Sequence, residues 1–186
     1  MKVSLQPYNP EWPDDFARLR DKLAAALGDL AVRIDHIGST SIPGIGAKDC
    51  IDIQVSIATL RRRDDLTAAL ERIGFTKQPY GSDHEPPGWS GDAAEWSKMV
   101  FTPPDDERLC NVHVREVGRA NRRYALLFRD FLRATPQAVT AWFEMKRRLG
   151  EQYPDDSMTY GYVKDAATDV LMLAAERWAE ERGWEP

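Results

Sequence analysis

Two adjoining stretches decide the fold: residues 38–46, GSTSIPGIG, and residues 50–57, CIDIQVSI. In the second stretch, isoleucine and valine alternate with Cys50, Asp52, Gln54 and Ser56. Apolar and polar side chains on opposite faces are typical of a β-strand that buries one face. The first stretch is dense in glycine and hydroxyl groups, so together they predict a tight polar loop that leads into a half-buried strand.

The loop and the strand also suggest a chemistry. A Gly-Ser turn that opens a helix offers free backbone N–H groups and a hydroxyl, and such groups bind phosphate. Asp52 lies on the polar face of the next strand, where a carboxylate can hold Mg²⁺ against that phosphate. The alternative is an ordinary turn followed by an aspartate that caps neighbouring backbone.

Outward from this centre, the spacing of apolar residues predicts alternating strands and helices and then helices alone. The predicted elements are a strand at 3–5, a helix at 16–27, strands at 30–37 and 50–57, a helix at 64–73, strands at 75–78, 97–102 and 108–115, and helices after 120, 136 and 157. We therefore predict an α/β part over residues 1–116 and a helical part over 117–186, packed as one compact domain.

Composition excludes several classes of protein. The net charge of −5 disfavours a general binder of nucleic acid or anionic membrane, and an apolar content of 42 % excludes whole-chain disorder. The cysteines, Cys50 and Cys110, exclude a disulfide-rich scaffold and lack the CxxC spacing of structural zinc. No apolar run reaches the roughly 18–20 residues of a membrane span, and the first seven residues lack a signal-peptide core. We expect a cytoplasmic protein.

The sequence resembles the GrpB family. The resemblance rests on HIGSTSIPGI at 36–45, Ala47-Lys48 and IDI at 51–53, and more softly on VHV at 112–114, FRDFLR at 128–133, Lys146 and residues 160–164. It covers nearly the whole chain. It implies an α/β (α+β) fold of the nucleotidyltransferase-like type, in which flanking helices cover a mixed β-sheet core and a helical C-terminal part follows.

The resemblance also implies a phosphate site. Gly38, Ser39 and Thr40 would surround the phosphate, and Lys48 of the same signature would add a positive charge. Two arginines in the FRDFLR run, Arg129 and Arg133, are further phosphate candidates, with a solvated helix face as the alternative. For Arg122 and Arg123 the surface position is the preferred interpretation.

The wider superfamily holds two metal ions with an Asp-x-Asp/Glu pair and a third acid on a later strand. Here Asp52 is the metal and catalytic candidate, but Gln54 replaces the second acid and offers a carbonyl oxygen without charge. The later strand carries Asn111, His113 and Arg115 instead of an acid. His113 is therefore a candidate general base, with a backbone-bonded histidine at a sheet edge as the alternative.

These residues lead to one functional hypothesis and one alternative. The first is a protein that binds a nucleotide or a phosphorylated metabolite with Mg²⁺ and catalyses nucleotidyl or related group transfer. The alternative is a non-catalytic ligand-binding or interaction module that keeps the fold without the full acidic metal site, and Gln54 is the residue that favours it.

Overall fold

The computed structural model describes residues 3–186. Met1 and Lys2 lie outside the described residues, and they are the first two residues of the N-terminal segment that lacks a signal-peptide core. The helices are α1 (Trp12–Leu27), α2 (Arg63–Glu71), α3 (Ala120–Ala134), α4 (Pro136–Gln152) and α5 (Ser157–Arg182). The strands are β1 (Arg33–Ile37), β2 (Ile51–Ile57), β3 (Thr76–Lys77), β4 (Met99–Thr102) and β5 (Cys110–Glu116). None of the described helices is long and apolar enough to cross a bilayer.

The strands form one mixed sheet in the order β1-β2-β5-β4-β3. Strands β2 and β5 are parallel, whereas the other neighbouring pairs are antiparallel. The register places Asp52 opposite Asn111 and Gln54 opposite His113, so the polar faces of the two central strands coincide. The mixed α/β fold with flanking helices is therefore confirmed.

Two apolar clusters hold the layers together. The alternating face of β2 and β5 packs against α1 and α2, and its central residues Ile53, Val55 and Val112 are fully buried. A second cluster lies among α3, α4 and α5 and includes Leu127 and Trp142. The polar face of the sheet consequently faces the C-terminal helices, and a cavity lies between the two.

Some predicted boundaries were wrong. The strand predicted from residue 30 begins at Arg33, because Gly28–Leu30 form a 3₁₀ turn after α1. The predicted strand at 3–5 is absent from the described chain, where Gln6 makes only an isolated bridge to Ala47. The strand predicted over 75–78 is limited to Thr76–Lys77 at the sheet edge.

Candidate functional site

The loop after β1 is held close to Asp52 by a glycine. Gly38 has φ +66° and ψ −174°, a backbone conformation open essentially to glycine alone. A Cβ at this position would lie 2.9 Å from Asp52 Cβ and would collide with the carboxylate. Residues Ser39–Ser41 then form a 3₁₀ turn, in which the N–H groups of Ser39 and Thr40 have no acceptor within the turn.

This loop opens into a cavity of about 520 Å³ between the polar sheet face and helices α3, α4 and α5. The sheet side contributes Asp52, Asn111 and His113, which lie next to one another across β2 and β5. The helices contribute three kinds of group to the opposite wall. They are the basic residues Arg129, Lys146 and Lys164, the aromatic residues Tyr124, Phe128, Trp142 and Tyr160, and the polar residues Asp165 and Thr168. The cavity therefore combines residues from both predicted parts of the chain.

Asp52 is a charged carboxylate at the floor of this cavity. It accepts a hydrogen bond from Asn111 Nδ2 at 3.0 Å, and His113 Nε2 lies 3.8 Å from its Oδ1. Burial opposes the charged form, but His113 and the Asn111 amide outweigh burial and hold the pKa of Asp52 below its usual range. Its side chain keeps 32 % of its surface exposed, so a ligand can reach it.

His113 is in a state that suits a base. Burial, with help from the charges of Arg115 and Lys98, lowers its pKa although Asp52 acts in the opposite direction. The imidazole is therefore neutral near pH 7. Its Nδ1 atom is buried and has no hydrogen-bond partner among residues 3–186. This arrangement leaves Nδ1 with an unmet capacity to accept or donate a proton, while Nε2 faces Asp52.

Gln54 is not available as a metal ligand, which corrects the sequence interpretation. Its side chain is fully buried, its Oε1 accepts a hydrogen bond from Arg115 Nη1 at 2.6 Å, and its Nε2 donates to the Arg122 carbonyl at 3.3 Å. Arg115 is in turn fixed by two hydrogen bonds to Asp83. A guanidinium beside the carbonyl oxygen repels a cation, so Gln54 serves the sheet instead.

Lysines of α4 and α5 were missed as site residues by the sequence analysis. Lys146 is buried, and its Nζ donates to Ser39 Oγ at 2.8 Å and to the Gly46 carbonyl at 3.3 Å. Burial, with the nearby charge of Lys164, lowers the pKa of Lys146 to about 8. The only local signal was the presence of Lys146 in the family-like pattern, because nothing in helical periodicity distinguishes a buried lysine from a solvated one.

Lys48 reaches the same wall from the loop. Its Nζ lies 4.4 Å from the centre of the Tyr160 ring, a cation–π contact that orients the ammonium group. Burial and the charge of Lys164 lower its pKa. Lys164 itself pairs with Asp165 at 3.1 Å. The structure thus brings together Lys48, Lys146, Lys164 and the Ser39 hydroxyl on one side of the cavity.

The Thr40 hydroxyl serves the interior of the protein. Thr40 is buried, and its Oγ1 lies 2.9 Å from His36 Nε2 and donates weakly to the Cys50 carbonyl at 3.5 Å. Its backbone N–H remains the part that can face a ligand. Side-chain phosphate binding by Thr40 is therefore not supported, whereas Ser39 keeps its hydroxyl at the cavity.

The four arginines of α3 have different surroundings, and Arg122 is the one that departs from its predicted surface position. Arg129 donates to Asp130 and to the His36 carbonyl, so its guanidinium is already bonded although the residue lines the cavity. Arg133 donates to the Ser41 carbonyl and supports the loop from outside the cavity. Arg122 was predicted at the surface but is buried, with its Nε bonded to Ser56 Oγ at 2.9 Å. Arg123 forms an ion pair with Glu176.

The donor set does not fit the two-metal arrangement of the wider superfamily. Among residues 3–186, no three His, Cys, Asp or Glu side chains converge as a metal-binding group. Of the described carboxylates that line the cavity, Asp83 and Asp165 are paired with Arg115 and Lys164, and Asp52 lies beside Asn111 and His113. A single magnesium ion that enters with the ligand's own phosphates and touches Asp52 stays a prediction.

Comparison with known proteins places the chain in a family. The model of the GrpB protein family matches residues 2–173. A UPF0157 protein of Streptomyces coelicolor, SCO7215, is 33 % identical over 177 residues, which cover 95 % of this chain and 84 % of that protein. The chain belongs to the GrpB family. A crystal structure of the conserved protein GrpB from Enterococcus faecalis has a TM-score of 0.75 and 27 % identity, and covers 98 % of this chain and all of that one.

Other relatives of this GrpB protein are longer. A protein of Mycolicibacterium paratuberculosis named dephospho-CoA kinase is 34 % identical over 197 residues, which cover 99 % of this chain and 48 % of that protein. A protein of the same name from Mycobacterium tuberculosis is 33 % identical over 200 residues and is also covered to 48 %. This chain thus spans about half the length of these relatives. The phosphate-binding kinase pattern G-x-x-x-x-G-K-[S/T] does not occur in its 186 residues.

Proposed function

We propose that this GrpB protein binds a nucleotide or a phosphorylated metabolite in the cavity, with the phosphate against the Ser39 turn. The observation that carries the proposal is the convergence of Lys48, Lys146 and the Ser39 hydroxyl on one wall. Charge-assisted hydrogen bonds from ammonium groups to phosphate oxygens are among the stronger polar contacts that proteins make. The volume of about 520 Å³ lies in the usual range for small-molecule sites.

The names of the longer relatives support a nucleotide-like ligand. Dephospho-CoA kinase is the name given to the mycobacterial relatives. Since this chain matches about half of each and lacks the kinase phosphate loop, we propose ligand binding and not that kinase reaction. Dephospho-CoA and coenzyme A therefore belong in the first set of compounds to be tested.

Asp52 and His113 add the means for a group transfer. A neutral histidine beside a charged carboxylate can take a proton from an acceptor hydroxyl while the lysines stabilise charge on the phosphate. The second candidate is a binding module without turnover. The bonding of Gln54 to Arg115 favours it, because it removes the position at which the wider superfamily has its second carboxylate.

A ligand screen read by thermal shift tests the proposal. The compounds are nucleotides, dephospho-CoA, coenzyme A and sugar phosphates, each with MgCl₂ and with EDTA. A bound ligand at about 100-fold excess over Kd stabilises the fold by about 2.7 kcal/mol. We expect the stabilisation to be lost in Lys48→Met and kept in Lys77→Met, a charge-matched change at an exposed edge strand.

The screen also separates the two candidates. Product formation from the stabilising ligand supports group transfer, and stabilisation without product supports the binding module. If no phosphorylated compound stabilises the parent protein, the proposed function is wrong.

A further inference from the structure

The lysines of the cavity are unusual in their partners. No carboxylate of the described residues lies within 4.0 Å of the ammonium groups of Lys48 or Lys146, whereas Lys164 is paired with Asp165. The polar contacts of Lys146 are to neutral oxygens, of Ser39 and Gly46. Buried charges are normally paired, because an unpaired one has lost hydration without compensation. Two cations at one cavity wall therefore lack the anion that would balance them.

The charged groups around these lysines do not balance their positive charge. Lys146 extends from α4 to the Ser39 hydroxyl and interacts with the charges of Lys48 and Asp52. The charge of Lys164, on α5, also acts on Lys146. Burial, followed by the charge of Lys164, lowers the pKa values of both Lys48 and Lys146, and the charge of Asp52 acts in the opposite direction. Asp165 neutralises Lys164, so Lys48 and Lys146 face Asp52 alone and the wall keeps an excess of positive charge. A bound dianion would relieve both the repulsion and the loss of hydration.

The same wall is unfavourable for a magnesium ion. The ammonium groups of Lys48 and Lys146 repel a divalent cation. Of the described carboxylates that line the cavity, Asp83 and Asp165 are already paired with cationic side chains, which leaves Asp52 to attract a metal. Lysine binds phosphate as a point charge, which attracts the anion directly. A phosphate group bound to Mg²⁺ carries less negative charge and would balance these lysines less well.

We infer that the wall formed by Lys48, Lys146, Lys164 and Ser39 recognises a phosphate monoester or diphosphate directly, as the free anion, and needs no divalent cation. This inference rests on the proposed function and specifies its ligand class. The metal-bound triphosphate, which a two-metal transferase would take, is the class that the wall disfavours. Turnover, where it occurs, would then depend on Asp52 and His113.

Calorimetric titration with inorganic pyrophosphate tests the inference on the full chain. We expect binding in EDTA and weaker binding in excess MgCl₂, because magnesium pyrophosphate carries less negative charge. Lys146→Met is expected to weaken binding in EDTA by about 10- to 150-fold, the value of one hydrogen bond to a charged group. Lys48→Met, at a half-buried position, provides a second variant if Lys146→Met does not fold.

Lys77→Met is the matched control and is expected to bind pyrophosphate like the parent. Binding that requires MgCl₂ would overturn the inference and leave the proposed function standing. Parent-like affinity in folded Lys146→Met and Lys48→Met would also overturn it, since the charge would then be supplied elsewhere. If neither pyrophosphate nor any compound of the ligand screen binds, the inference and the proposed function both fall.

Discussion

At the scale of single residues, Gly38 sets the distance between the phosphate-type turn and Asp52. Its positive φ disfavours any residue with a side chain, and so does the contact that a Cβ would make with the Asp52 side chain. Gly44 separates the two effects, because it also has a positive φ, of +80°, but has open space where its Cβ would be. Gly44 therefore serves as a reference glycine that has a positive φ but no close contact.

We predict that Gly38→Ala lowers the free energy of unfolding by more than Gly44→Ala does. Both variants force a positive φ on a residue with a Cβ, at a cost of about 1–3 kcal/mol, and only Gly38→Ala adds a collision with Asp52. Urea denaturation measures the difference. Equal losses in the two variants would show that the close approach carries no strain.

Pyrophosphate binding should also depend more strongly on Gly38 than on Ser39. We predict that Gly38→Val loses pyrophosphate binding altogether, whereas Ser39→Ala weakens it by about 10-fold or more through the loss of one hydroxyl. Calorimetry on variants with parent-like circular dichroism is the measurement. A smaller effect at Gly38 than at Ser39 would contradict the proposed placement of the phosphate.

His36 makes the stability of the fold depend on pH. It is buried, stacks on Phe16 with ring centres 4.7 Å apart, and contacts Thr40 Oγ1. Burial, together with the charge of Arg133, lowers its pKa from 6.5 to about 4. Because the folded-state pKa lies below the unfolded one, its contribution is fully present above pH 6.5 and is lost as the pH falls towards 4.

We predict that His36→Gln flattens the decline in unfolding free energy between about pH 6.5 and pH 4. The shift in pKa corresponds to about 3 kcal/mol at the acid end of this range. Urea denaturation over this range of pH checks it, with His84→Gln, a change at an exposed histidine, as the control. A parent-like decline in His36→Gln would assign the acid sensitivity to other groups.

At the scale of elements, a buried polar network joins two strands to a loop. Arg115 on β5 bonds Gln54 on β2 and Asp83 in the loop between β3 and β4. Lys98 and Asn121 add hydrogen bonds to the same carboxylate. Arg115 and Lys98 hold the pKa of Asp83 well below its usual range, although burial opposes the charged form. This carboxylate therefore fixes the loop that forms one side of the cavity.

We predict that Asp83→Ala destabilises the protein by about 3–5 kcal/mol, because it leaves the buried guanidinium of Arg115 without its carboxylate. Chemical denaturation gives the value. Asp106→Ala, at an exposed turn position, is the control and is expected to change little. A loss below about 1 kcal/mol would mean that Gln54 alone satisfies Arg115.

At the scale of the whole molecule, the helical part completes the α/β part. Arg122 bonds Ser56 across the predicted boundary, Arg133 bonds the Ser41 carbonyl, and Lys146 bonds Ser39. The backbone N–H of Val3 donates to the Pro154 carbonyl at 2.7 Å, which joins the beginning of the described chain to the end of α4. The cavity lies between the two parts and needs both.

We therefore predict a single cooperative unfolding transition for residues 1–186. Native-state hydrogen exchange should give the same free energy of opening for core amides of β2 and of α3, because separation would expose the buried arginine and lysine contacts. The prediction is contradicted if the amides of α3 to α5 open at a clearly lower free energy than those of the sheet.

The local elements and the candidate loop could be predicted from the sequence for a physical reason. Alternation in residues 51–57 and three- and four-residue spacing in the helices are local consequences of burying one face. The Gly-Ser-Thr turn and the polar face that carries Asp52 follow from the same rules, and the long motif at 36–45 indicated the family. Each of these features is set by neighbours within a few residues.

The tertiary structure alone decided which polar groups meet. Lys146 is 107 residues from Ser39, Arg122 is 66 residues from Ser56, and Arg115 is 61 residues from Gln54. Periodicity cannot show that a lysine or arginine is buried, because the same spacing serves a solvated helix face. The sequence therefore determined the strand, the turn and Asp52, whereas the packing of α3, α4 and α5 decided that Gln54 supports the sheet and that lysines line the candidate site.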